Sequence, residues 1–220
     1  MTHTLFTSYK VEKTDPTVQA ILEDWKKLNP GYEILYFSDK DVDIFFSNTS
    51  YYDTFKQMRN GVAIADFFRI CYINKYGGYW FDIDLEPFNL NLPSYENINL
   101  FDMGYKNISY MFIGGKPNQK LFDEVIQQVN QNILNNIQCK KKGVMEITGP
   151  RIIQNIICSN LNIKNIDGCL PSSSEPTTYL KDTEYEFVYT KLNCKSVKTT
   201  RYKQLQQNNN QKPYQNYNYI

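Results

Sequence analysis

Gly61-Val62-Ala63-Ile64-Ala65-Asp66-Phe67-Phe68-Arg69-Ile70-Cys71-Tyr72-Ile73-Asn74-Lys75-Tyr76-Gly77-Gly78-Tyr79-Trp80-Phe81-Asp82-Ile83-Asp84 is the stretch from which the fold can be read. Its first part is apolar enough for a helix from about Val62 to Tyr76, and Gly77-Gly78 supplies the left-handed conformations that end a helix and open a tight turn. Tyr79 to Ile83 then reads as a mostly aromatic strand that finishes in acid. Helix, glycine turn and strand in this order predict one unit of an α/β sheet.

The flanks repeat the alternation. Upstream, Thr4 to Tyr9 suits a first strand, and Asp15-Pro16 caps a helix on which Val18, Ile21, Leu22, Trp25 and Leu28 recur at helical spacing. Asn29-Pro30-Gly31 stops that helix, Glu33 to Phe37 reads as a second strand, and Ser38-Asp39 starts a short helix carrying Val42, Phe45 and Phe46. A further short helix falls around Phe55 and Met58. Downstream, Leu121, Val125, Val129 and Ile133 mark one helix, and Ile152, Ile153, Ile156 and Ile157 mark another that begins after Gly149-Pro150. Beyond Asp167 the periodicity fades, apart from a strand at Glu186 to Thr190, and Gln204 to Ile220 is rich in Gln, Asn and Tyr. The expectation is a single α/β domain of Rossmann-like character over residues 1–200, with a tail over residues 201–220.

Composition removes several functions. Lys and Arg number 24 against 23 Asp and Glu, so the net charge of +1 gives no general attraction to nucleic acid or an anionic membrane. No apolar run reaches the length of a transmembrane segment. His3 is the only histidine, which rules out multi-histidine metal sites and any Ser-His-Asp triad that does not use the N-terminus. Five cysteines without a C-x-x-C pair, and no legible secretory signal, suggest reduced thiols and a cytoplasmic location.

The chemistry must therefore run on carboxylates, and these are concentrated in the opening stretch. Asp82 and Asp84 flank one residue at a strand end, so in extended conformation they point to the same side. Two such acids repel unless a divalent cation with oxygen ligands neutralises them, and a diphosphate supplies further oxygens. A D-x-D alone is a weak signal; its place after helix, turn and aromatic strand gives it weight, because open α/β sheets bind ligands at the carboxyl ends of strands. Asp66 and Arg69, three apart on the helix, allow two readings: a local ion pair at the surface, or a pair lining a pocket and holding sugar hydroxyls. A haloacid-dehalogenase-type phosphatase would need Thr where Glu86 stands. Asp82 and Asp84 also lie too close in sequence to straddle a glycosidic bond as a hydrolase pair.

Ala65 to Arg69 and Tyr76 to Asp84 resemble the D-x-D sugar-binding region of glycosyltransferases related to the yeast initiating α-1,6-mannosyltransferase and the large clostridial toxins. Phe6-Thr7-Ser8-Tyr9-Lys10, Trp25 to Glu33, Met111 to Asn118 and Thr148-Gly149-Pro150 are similar to further pieces of that family, in order. The resemblance implies a GT-A-type nucleotide-sugar-binding fold. It also implies a UDP- or GDP-sugar donor, a glycan, lipid or protein acceptor, Mn²⁺ or Mg²⁺, and transfer of a hexose-type sugar with retention. Carried over, Asp84 would be the principal metal ligand and Asp82 would serve the metal, ribose or sugar. Asp66 and Arg69 would hold sugar hydroxyls. Phe6, Thr7 and Tyr9 would border the nucleotide, with Gly77 and Gly78 at the same cofactor site. The relatives' C-terminal His- or Trp-containing motif has no counterpart, since no Trp follows Trp80 and no His follows His3, so the third protein ligand is unassigned. The competing function is a catalytically silent sugar-nucleotide-binding or scaffold protein of the same fold.

Overall fold

A computed structural model describes residues 3–90, 97–102, 107–135, 143–160, 178–180, 185, 187–191 and 203. Strand β1 (His3–Ser8) is followed by helix α1 (Pro16–Leu28), β2 (Tyr32–Phe37), α2 (Asp39–Ser47), α3 (Tyr52–Gln57), α4 (Gly61–Tyr76) and β3 (Gly78–Phe81). Then come β4 (Ile98–Asp102), β5 (Ile108–Gly115), α5 (Lys120–Leu134), α6 (Val144–Ile147), α7 (Arg151–Asn160), β6 (Thr178–Leu180) and β7 (Phe187–Lys191). The strands form one sheet in the order β2-β1-β3-β5-β4-β7-β6. β2, β1 and β3 are parallel, β5 runs antiparallel to both β3 and β4, and β4 is parallel to β7. The α/β architecture expected from the alternation is the one adopted.

Local chemistry explains where the first helices begin. Asp15 accepts from the backbone of Thr17 and Val18 at 2.8 and 3.2 Å, satisfying N–H groups that the helix itself leaves open, while Pro16 fits the first turn. Ser38 and Asp41 form a reciprocal capping box on α2, and Asn60 caps α4 through Val62 N at 2.9 Å. Gly77 and Gly78, at φ 74° and 109°, turn the chain from α4 into β3.

Helices cover both faces of the sheet. On one side Leu5, Tyr79 and Phe81 pack with Val18, Ile21 and Trp25 of α1. On the other, Phe6 and Trp80 pack with Phe68, Tyr72, Leu121 and Ile153 from α4, α5 and α7. Alternate residues of β1 and β3 thus enter opposite cores, as the period of a strand requires. Trp25 is fully buried and stacks on Phe81 with ring centroids 4.3 Å apart, which fastens α1 to the strand bearing the acids.

The structure differs from the sequence reading in places. β3 ends at Phe81, before Ile83, because Leu85 N donates to Asp82 O at 2.9 Å and closes a turn. β4, β5, β6 and α6 are additional elements. Cys71 is a buried free thiol, while Cys139, Cys169, Cys194 and the tail apart from Lys203 lie outside the described residues. Among the described residues no helix is long and apolar enough to cross a membrane.

Candidate functional site

The carboxyl end of β3 is fixed from both sides of the strand. Asp82 N donates to Met111 O at 2.8 Å, carrying the pairing with β5 one residue beyond the strand. Ile83 and Leu85 are buried in the core under α1, whereas Asp82 and Asp84 are only partly buried. Each acid is thus more open to solvent than the apolar residues between and after them, which anchor the turn. Strand alternation, the geometry expected, extends only as far as Asp82.

Asp66 and Arg69 do form the i,i+3 ion pair, but each is 5% exposed, so the pair lies in the interior and not at the helix surface. Arg69 reaches from α4 to the strand end. Its Nε donates to Ala65 O at 3.1 Å and its Nη1 to Tyr110 O at 2.5 Å. Nη1 also lies 3.1 Å from Asp82 Oδ1, and Nη2 lies 3.3 Å from Asp66 Oδ1. Its guanidinium carbon sits 4.4 Å from the centre of a Trp80 ring, a cation–π contact in a desolvated place. One buried cation thus joins Asp66 and Asp82.

That cation does not fully offset the cost of burying Asp66. Burial pushes the Asp66 carboxyl up to about 7, the Arg69 charge pulls it down, the negative charge of Asp82 raises it, and a hydrogen bond with Thr148 lowers it. Burial likewise pushes the Tyr110 phenol well above its usual range, with Asp66 adding to the rise and Arg69 opposing it. Gly149 admits the α6–α7 link to this place: a Cβ there would come within 2.8 Å of Met145 Cα and 3.2 Å of Asp66 Oδ2. The Thr148-Gly149-Pro150 piece is thereby joined to the helix–strand constellation.

The residues expected at the nucleotide are distributed differently. Tyr9, just past β1, is partly buried. Thr7 is fully buried, and its Oγ1 has no hydrogen-bond partner among the described residues. Phe6 is fully buried against Tyr72 and Trp80, turned to the core and not to a ligand. Gly77 and Gly78 need correction as cofactor contacts. They lie at the opposite end of β3 from Asp82, Gly78 about 13 Å and Gly77 about 16 Å away at strand rise, where their positive φ serves the turn.

No group of three or more His, Cys, Asp or Glu side chains is gathered for a metal among the described residues. The donor chemistry still fits a hard cation: Asp82 and Asp84 are neighbouring carboxylates, and Asp82 commits Oδ1 to Arg69 and Trp80 while Oδ2 makes no contact among the described residues. The sequence reading passed over Trp80, although its place two residues before Asp82 on one strand face was a legible sign.

Residues 15–100 match the family model described as the glycosyltransferase sugar-binding region containing DXD motif. That match spans less than half of the chain, and the Asp66–Asp84 constellation lies inside it. Among solved structures, one entitled "PaToxG Glycosyltransferase" is 16% identical, with a TM-score of 0.49 over 72% of this chain and 68% of that one. No curated protein sequence matches.

Proposed function

We propose that this chain, in which residues 15–100 match a glycosyltransferase sugar-binding region, moves a hexose-type sugar from a UDP- or GDP-sugar to a glycan, lipid or protein acceptor, with retention and with Mn²⁺ or Mg²⁺. The observation that carries the reading is the buried Asp66–Arg69–Asp82 bridge, which ties the D-x-D turn to α4 at the carboxyl end of a central strand.

In this reading Asp82 and Asp84 would hold the cation. Bound there, it would neutralise negative charge on the departing diphosphate. The other steps belong to the chain's own groups. Asp66, kept near its neutral point by burial, can accept from or donate to a sugar hydroxyl. Arg69 has most of its donors engaged within the protein, so its first task is to set Asp66 and Asp82 at fixed separation. Such preorganisation lowers the reorganisation needed as charge develops on the leaving group. Tyr9 borders the end of β1 and offers a ring for a base to stack on.

A panel of UDP- and GDP-sugars, assayed for Mn²⁺-dependent release of nucleoside diphosphate, tests the reading. Turnover of at least one donor that stops on chelation is the expected result. Donor binding without release from any member would instead establish the silent sugar-nucleotide-binding alternative.

A further inference from the structure

We infer that Trp80 is a positioning residue for Asp82, acting through its indole N–H, so that Asp82 offers a cation one oxygen only. The inference rests on the metal reading of Asp82 given above and deepens it.

On β3, Trp80 and the residue two positions on lie on the same face, and the indole is long enough to reach the carboxylate. Trp80 Nε1 donates to Asp82 Oδ1 at 2.7 Å, a short bond for a neutral donor and one that a charged acceptor strengthens. The same oxygen faces Arg69 Nη1 at 3.1 Å, and the Arg69 guanidinium is stacked over the Trp80 ring. One side chain therefore fixes the acid through its edge and the arginine through its face. Trp80 itself is 2% exposed and held by Phe6 and Phe68, so the donor has little freedom to follow a moving carboxylate. With Oδ1 held by two donors, Oδ2 is the oxygen left, and its direction is set by the tryptophan.

Partners that orient a ligating carboxylate typically contribute about 10- to 100-fold to metal affinity. Trp80→Phe keeps an aromatic ring beneath Arg69 and deletes the N–H. Free Mn²⁺ measured by electron paramagnetic resonance, with the protein titrated in the presence of UDP, reads the effect without any turnover. Affinity at least about tenfold weaker in Trp80→Phe is expected, in a protein that still unfolds cooperatively although the smaller buried ring lowers its melting temperature. Wild-type Mn²⁺ affinity in Trp80→Phe, where Asp82→Ala has lost it, would overturn the positioning role and leave the metal reading standing. Undiminished affinity in Asp82→Ala would overturn both. Should Trp80→Phe not fold, the indole N–H of the otherwise unaltered protein becomes the readout. Its hydrogen exchange should be slow in the wild type and quicken in Asp82→Ala, and an unchanged rate would show that the bond does not constrain the pair.

Discussion

Replacing Arg69 with Met retains an unbranched apolar stem against Trp80 but leaves the buried Asp66 carboxylate without its cation. Removing one partner of a buried pair costs about 3–5 kcal/mol, most of it the penalty of the charge left behind. The structure makes that penalty depend on pH. Asp66 has its carboxyl pushed from the ordinary 3.8 to about 7 in the folded chain, so the fold binds this proton more tightly than the unfolded chain does. Its stabilising effect is complete below 3.8 and is lost as pH rises through about 7. Without Arg69, the largest influence opposing burial, the carboxyl rises further and is neutral over a wider range. Between about pH 8.5 and about pH 5 the variant therefore recovers stability that the wild type recovers later and in smaller amount. Urea midpoints of both proteins should show a loss of about 3–5 kcal/mol at the higher pH, shrinking by about 1–2 kcal/mol at the lower, where Asp66 is neutral and the bonds to Ala65 and Tyr110 carbonyls and the pair with Asp82 are what remain missing. Groups elsewhere cancel in the difference between the proteins. An equal loss at both pH values would show that Asp66 is not the charge that Arg69 compensates.

Other substitutions test the frame around the site. Gly114→Ala should destabilise by about 1–3 kcal/mol or more in thermal or urea unfolding, because its Cβ would stand 2.1 Å from Tyr79 Cδ1 and 2.6 Å from Gly78 O. Asn29 donates to Phe88 O at 2.9 Å and accepts from Leu90 N at 2.8 Å, so Asn29→Ala should cost about 1–3 kcal/mol and quicken amide exchange at Leu90. Little change in either protein would mean that these contacts do not hold the strand and the segment following the acids. Trp80→Phe should weaken Mn²⁺ binding at least about tenfold in a protein that remains folded at the assay temperature.

The α4–β3 unit was legible because its cues are local: apolar spacing, two glycines that must take positive φ, and an acid at a strand end. β4 and β5 were not, and the reason is physical. Ile98 to Asp102 is buried throughout, and β5 is buried over most of its length, so neither shows the alternation by which a half-exposed strand is recognised. Gly114 sits within β5 because the Tyr79 ring occupies the space of a side chain. Asp66 and Arg69 were placed on one helix face correctly, but three-residue spacing does not say whether that face is wet, and their burial depends on β3, β5 and the α6–α7 link. For the same reason Phe6, grouped with Thr7 and Tyr9 by proximity in sequence, proved to be a core ring: neighbours on a strand face opposite ways.

Asp84→Ala measures the central claim most directly, because the two ion pairs made by Arg69 run to Asp66 and Asp82 and not to Asp84. With a donor identified from the panel, the variant should melt as the wild type does, bind Mn²⁺ weakly, and release nucleoside diphosphate at least about 100-fold more slowly. Metal-dependent release at the wild-type rate would contradict the assignment of the D-x-D acids to a cation.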